Sequence, residues 1–185
     1  MRYSEDHKAQ THQRIIEEAA RLFRRDGVGA TGLQPLMKTL GLTHGGFYAH
    51  FKSKDELVET ALRHSAEQLA AASSELPLAD LIKGYLSSAH RANPGEGCPL
   101  PTISAELGQR GAPSTTTDEL IRDRLSTIEA GLHSEQADEQ SVLILSAMVG
   151  ALLLSRSVSD PELSDRLLKT TRRLLIEQNT SPNTA

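Results

Sequence analysis

Apolar residues recur along this chain with the 3.6-residue spacing of helices, and no segment shows the two-residue alternation of a strand. From Gln10 to Arg25, Ile15, Ile16, Ala19, Leu22 and Phe23 form one stripe, while Arg14, Glu17, Glu18, Arg21 and Arg24 fill the other face. Asp26-Gly27-Val28-Gly29 ends that helix, with Gly27 placed just past the C-cap. A second helix is expected from Thr31 to Gly41. Thr31 and Gln34 read as its capping box, and Pro35 falls in the first turn, where an N–H has no intrahelical partner to lose. Thr43 is the expected N-cap of a short third helix. Ser53 and Glu56 form another capping box at the head of a long fourth helix, whose apolar face is Leu57, Val58, Ala61, Leu62 and Leu69 and whose end is marked by Pro77. Leu36, Leu40, Leu42, Phe47 and Phe51 are spaced to pack the short helices together.

The same signals predict helices over Leu78–Ala92, Leu100–Arg110, Thr117–His133, Glu135–Ser157 and Pro161–Gln178. Their breaks are Asn93-Pro94-Gly95-Glu96-Gly97, Gly111-Ala112-Pro113-Ser114 and Ser159-Asp160-Pro161, and the polar run Asn179 to Ala185 is expected to fray. The fold class is therefore all-α, with about nine helices.

Composition narrows the function. A length of 185 residues allows one or two domains with a real core. The single cysteine, Cys98, rules out an intramolecular disulfide and any multi-cysteine metal site. No metal or cofactor is expected. The N-terminal stretch MRYSEDHKAQTH lacks the apolar core of a signal peptide. The most apolar stretch, Val142 to Leu154, is interrupted by Ser146 and Gly150 and is shorter than the ~20 residues of a membrane span. A cytoplasmic chain with no membrane partner is the expectation. Net charge is −4, but residues 1–64 hold 10 Lys/Arg against 8 Asp/Glu and five of the seven histidines. Any affinity for a polyanion therefore belongs to the N-terminal third.

That third carries the informative constellation. Two short helices joined by Gly41-Leu42-Thr43, the second brief and aromatic, have the spacing of a helix-turn-helix. A recognition helix must approach the major groove closely at its N-terminal end. Gly45 and Gly46 permit that at about 1 kcal/mol each in helix propensity. The alternative is a plain loop or frayed turn. The order of residues decides between them: Gly27 with Thr31, Gly41-Leu42-Thr43, Gly46-Phe47-Tyr48-Ala49-His50-Phe51, then Lys52-Ser53-Lys54-Asp55-Glu56-Leu57. This run closely resembles the DNA-binding domain of the TetR/AcrR family of transcriptional regulators. The likeness is strong over the first third of the chain; beyond it only the number and length of helices match. It departs at His44, where a lysine or another basic or small residue is frequent, and in the Leu-Gln-Pro-Leu-Met-Lys of the second helix.

The resemblance implies a helix-turn-helix DNA-binding domain over residues 1–54, a helical ligand-binding and dimerisation domain over 55–179, and a frayed tail over 180–185. Its implied partners are an operator duplex, a second copy of the chain and a small-molecule effector. Tyr48, His50, Lys52 and Lys54 resemble phosphate contacts. Thr31 and Thr43 are caps that can also touch phosphate. His44, Gly45 and Gly46 stand where base edges are approached, and Gln34 with His44 offers the groove-reading chemistry. The family's effector pocket implies Leu62, Leu69, Tyr85, Leu86, Cys98, Ile103, Leu107, Leu125 and Met148 as lining, all of which also suit an ordinary core. Its two-fold dimer implies an interface of Val142, Leu145, Val149, Leu152, Leu153, Leu163, Leu167 and Leu174, with intrachain packing as the alternative.

Cys98 sits just before a predicted helix, where N–H dipoles favour thiolate, so a thiol-based electrophile or oxidant sensor is a second reading, set against an inert buried cysteine. An enzyme would need Cys98 as nucleophile and His90 or His133 as base; no oxyanion or cofactor motif accompanies them, and no catalysis is expected. A helical protein-interaction module would explain the amphipathic helices but not Tyr48-Ala49-His50-Phe51-Lys52-Ser53-Lys54.

Overall fold

The computed structural model describes residues 5–73, 75–111 and 113–180. All regular structure among them is helical. In order these are α1 (Glu5–Asp26), α2 (Leu33–Thr39), a 3-10 helix (His44–Ala49), α3 (Lys54–Ser73), α4 (Leu78–Tyr85), α5 (Ser88–Ala92), a 3-10 turn (Pro94–Glu96), α6 (Leu100–Arg110), α7 (Thr115–Glu129), α8 (Ala137–Ser157) and α9 (Pro161–Thr180). The chain forms two compact units: residues 1–68 with 95–117, and residues 69–94 with 118–185.

The first unit closes around α1. Ile15, Ile16, Ala19, Ala20 and Phe23 are buried against Leu36 and Met37 of α2, Phe47, Phe51, and Leu57, Val58, Ala61 and Leu62 of α3, with Ile103 of α6 completing the cluster. α2 ends in a Schellman arrangement. Gly41 takes φ +72, its N–H bonds the Lys38 carbonyl at 3.0 Å, and the Leu42 N–H bonds the Met37 carbonyl at 2.9 Å. That turn places the following 3-10 helix against α2.

Three local expectations change here. α2 starts at Leu33 with Gly32 as its N-cap and no side-chain cap; the Thr31 hydroxyl instead donates to the Gly27 carbonyl at 2.7 Å and is buried, so Thr31 ties the loop and does not cap the helix. The short third helix is 3-10, as six residues with adjacent glycines cannot sustain α geometry. Arg24, assigned to the polar face, is buried, donating from Nε to the Gly95 carbonyl at 2.7 Å and from Nη1 to Ser65 Oγ at 3.2 Å. Burial pushes its pKa down, partly offset by Glu96 and Cys98.

In the second unit, α8 packs along α9, α4 also packs on α9, and α5 on α8. The buried residues of α8 are Ser141, Ile144, Leu145, Met148, Ala151, Leu152 and Ser155, one side of the helix. Leu78, Ile82, Leu120, Ile128, Leu168 and Leu175 are the other buried apolar residues of the unit's helices, with Leu132 after α7 and Leu86 after α4. The helix expected over Leu78–Ala92 is broken: Ser87 accepts the His90 N–H at 3.1 Å and caps a new helix, α5. Arg156 donates from Nη2 to the His90 carbonyl at 2.6 Å and from Nε to the Arg91 carbonyl at 3.2 Å, satisfying the end of α5. α9 continues through Thr180, and the Asn179 side chain donates to the Leu175 carbonyl at 2.7 Å; residues 181–185 of the expected frayed tail lie outside the described residues. α8 has 21 residues and, by length and composition, is long and apolar enough to cross a membrane, unlike the shorter Val142–Leu154 stretch. Its apolarity has another explanation in this structure, since one side supplies the core and the other leaves Val142, Leu143, Leu153 and Leu154 exposed.

Candidate nucleic-acid interface

Phe47 holds the 3-10 helix in place. It is fully buried, stacks on Phe51 with ring centroids 5.6 Å apart, and Phe51 in turn stacks on His12 of α1 at 4.5 Å. Thr43 caps the helix as expected, its Oγ1 accepting the Gly46 N–H at 3.2 Å. The outward face carries Thr43, His44, Gly45 and Tyr48, all exposed, with Gly46 half-buried. Tyr48 is 60% exposed and meets the His44 ring edge-on at 5.8 Å. A Cβ on Gly45 would meet nothing within 4 Å, so the fold itself does not require that glycine. Gln34, on the first turn of α2, and Lys52 are exposed as well.

The other expected phosphate contacts are differently used. Lys54 is half-buried, and its ammonium donates to the carbonyls of Val28 and Thr31, each at 2.6 Å. It fixes the loop before α2, and most of its hydrogen-bonding capacity is spent there. Thr31 is buried behind the same loop, its hydroxyl donating to the Gly27 carbonyl. At the head of α3, Ser53 Oγ accepts the Glu56 N–H at 3.1 Å, and the Glu56 carboxylate accepts the Lys52 N–H at 2.6 Å. The reciprocal cap was expected; its return bond lands on Lys52 instead of Ser53.

His50 is half-buried beside His12, with rings 5.9 Å apart, and its Nδ1 is buried without a hydrogen-bond partner. Burial first, then the nearby His12 and Lys8, pushes the His50 pKa down. His90, in the second unit, is also pushed down by burial, with the Tyr85 carbonyl opposing and Arg156 assisting. An unfolded imidazole titrates at about 6.5, so below that pH the unfolded chain binds more protons than the folded one. The stability from both groups is complete above about 6.5 and is lost as pH falls from there through the depressed folded values. Thermal melts are expected to show a lower midpoint at pH 5.5 than at pH 7.5, with a weaker dependence in His90→Gln. A midpoint that rises on acidification contradicts this assignment.

The expected effector-pocket residues separate between the units. Leu62, Cys98 and Ile103 are buried in the first unit, where Leu107 packs half-buried, whereas Leu69, Tyr85, Leu86, Leu125 and Met148 belong to the second. A cleft of about 370 Å³ in the first unit is lined by Arg14, Arg21, Arg24, His64 and Glu96, among others, and by none of the expected pocket residues. Of the expected dimer residues, Leu145 and Leu152 face the protomer's own core and leave no surface for a partner. Val149, Leu163 and Leu167 are half-buried. Val142, Leu153 and Leu174 are exposed, joined by Leu143 and Leu154, which the apolar pattern did not distinguish from core. Among the described residues, no cluster of His, Cys, Asp and Glu is arranged to hold a metal ion.

The family model for bacterial regulatory proteins of the tetR family matches residues 15–61, the segment that builds this surface. Residues 15–61 thus carry a DNA-binding domain of the tetR family. The uncharacterized HTH-type transcriptional regulator Rv0196 of Mycobacterium tuberculosis is 29% identical over 183 residues, covering 90% of this chain and 94% of that one. The HTH-type transcriptional regulator AcrR of Shigella flexneri is 44% identical over 48 residues, 26% of this chain and 22% of that one. A TetR transcriptional regulator from Legionella pneumophila shares the fold with a TM-score of 0.76 at 17% identity, covering 97% of this chain and 100% of that one. The chain is accordingly a DNA-binding transcriptional regulator, and its relatives are regulators, not enzymes.

Proposed function

We propose that this regulator is a cytoplasmic repressor that binds a palindromic operator as a homodimer and leaves it when a small molecule binds. The observation that carries the DNA-reading part is the open space at Gly45, on a helix whose inner side is locked by Phe47 and whose outer side presents Thr43, His44 and Tyr48. A glycine there leaves room for an external surface to approach the helix closely. Within this reading Thr43, Tyr48, His50 and Lys52 meet phosphates. Gln34, His44, Gly45 and Gly46 lie along the groove, while Thr31 and Lys54 act from behind by holding the loop. The exposed strip on α8 and Leu174 of α9 is the surface for the second copy. Leu69, Tyr85 and Leu125, half-buried in the second unit, are the pocket candidates with surface left for an effector. The covalent alternative through Cys98 is disfavoured, because a thiol only 2% exposed reacts only when the structure opens locally.

Fluorescence anisotropy on duplexes from the gene's own upstream region tests the proposal. Binding is expected to prefer one palindromic segment over a scrambled duplex at physiological salt. Lys52→Ala is expected to weaken binding to all duplexes and to lower the slope of log affinity against log salt by about one per lost contact. Equal affinity for specific and scrambled DNA refutes operator recognition, and an unchanged slope removes Lys52 from the interface.

A further inference from the structure

We infer that Glu106 of α6 is a positioning residue for DNA binding, acting through a carboxylate grip on the backbone of Val28 and Gly29. The inference rests on the DNA-binding reading above. Its basis is a contact between segments almost eighty residues apart in sequence. Glu106 Oε2 accepts the Val28 N–H at 2.6 Å, and Oε1 accepts the Gly29 N–H at 2.6 Å. Both oxygens are used on successive amides, and Arg110, one turn further along α6, pairs with Oε1. Charge-assisted bonds of this length to a half-buried carboxylate are the strong kind.

Two further contacts make the attachment directional. Thr102, one turn before Glu106, donates its hydroxyl to the Arg24 carbonyl at 2.8 Å, so α6 is tied to the last turn of α1 as well as to the loop after it. On its other side the loop is held by Lys54, which takes the Val28 and Thr31 carbonyls. The N–H edge of the loop thus belongs to α6 and the C=O edge to α3. Gly32, the N-cap of α2, comes immediately afterwards, and α2 carries the 3-10 helix. A displacement of the Glu106 carboxylate therefore shifts the point from which the helix-turn-helix starts.

The sequence at Gly29 agrees with this role. A Cβ there would lie 2.8 Å from Glu106 Oε1 and would collide with the Arg110 guanidinium. The glycine leaves room for the carboxylate and the guanidinium paired with it, and it is not called for by a left-handed backbone, since Gly29 has no positive φ.

The test is a double-mutant cycle on the full-length protein, with Glu106→Ala, Gly29→Ala and the pair, alongside the isosteric Glu106→Gln. Operator affinity, affinity for a scrambled duplex and the melting midpoint are measured for each. Glu106→Gln is expected to weaken operator binding within the 5- to 150-fold range typical of coupling between sites, leaving scrambled-duplex affinity and its salt slope unchanged. Gly29→Ala is expected to weaken operator binding in the wild-type background and to add little to Glu106→Ala, where the carboxylate is gone and the Arg110 guanidinium is no longer held beside Gly29. Amide exchange at Val28 and Gly29 is expected to be slow in the wild type and fast at both in Glu106→Ala. Unchanged operator affinity in a folded Glu106→Gln overturns the inference. So does a loss of both affinities in step with the melting midpoint, which marks a purely structural residue, or additive effects in the cycle. If the wild type itself binds no duplex, the DNA-binding reading fails first, and the two failures are distinguished by that control.

Discussion

In the proposed homodimer, Leu143→Glu is expected to separate the two copies and to cost the regulator most of its operator affinity. Leu143 is 62% exposed in the single chain, so a carboxylate there disturbs none of the protomer's own packing and the helical signal should persist. Its neighbours on the outer side of α8, Val142, Leu153 and Leu154, are exposed too, and Leu174 on α9 adds to the same apolar character. In a two-fold assembly the substitution enters the interface twice. Each carboxylate taken out of water without a partner costs several kcal/mol, more than a helix-pair interface of ordinary size can absorb. A monomer then reads one half-site, and the gain from linking two heads, about 10²- to 10⁴-fold, is lost. Sedimentation equilibrium at micromolar concentration, with anisotropy on the palindromic duplex, checks both parts. A Leu143→Glu protein that stays dimeric and keeps its affinity moves the interface away from this strip.

Phe47→Ala should strongly destabilise the DNA-binding unit. Phe47 is fully buried, stacks on Phe51, and lies in the same cluster as Leu36, Met37 and Leu57. Removing a buried phenylalanine costs about 3–5 kcal/mol through lost transfer energy and the cavity left behind. A domain is stable by only about 5–15 kcal/mol, so the helix-turn-helix should loosen or unfold near physiological temperature and DNA binding should vanish. Tyr48→Ala provides the contrast one residue away. Tyr48 is 60% exposed, and truncating it should change stability by no more than about 0.5 kcal/mol while still reducing DNA affinity. Urea denaturation followed by circular dichroism, paired with anisotropy, separates the two. Equal loss of stability in both variants contradicts the assignment of Phe47 to the inside and Tyr48 to the outside.

The sequence alone determined what depends on neighbours a few residues apart. Helical periodicity located α1, α3, α6, α8 and α9, and Leu100–Arg110 agrees at both ends. Thr43 and Ser53 were readable as caps, as was Gly41 as a helix stop, because capping is satisfied within three or four residues of chain. The run from Gly27 to Leu57 pointed to DNA binding through its resemblance to the TetR/AcrR family, which is legible in sequence because the motif is contiguous.

Tertiary structure decided which face each residue shows and which distant groups it meets. Arg24 read as solvent-facing, yet the Gly95 carbonyl and Ser65 draw it inside. Lys54 and Thr31 suit phosphate contact by residue type, but the loop carbonyls claim them first. An all-round apolar helix such as α8 has no periodic signal to separate Leu145 and Leu152, which are core, from Leu143 and Leu154, which are exposed. Glu106 had no local mark at all. Its partners lie almost eighty residues away, and a carboxylate on a helix of mixed polarity is ordinary until the fold brings two free amides to it. A backbone N–H must find an acceptor when it leaves water, but which acceptor it finds is a property of the packed chain, not of the residues beside it.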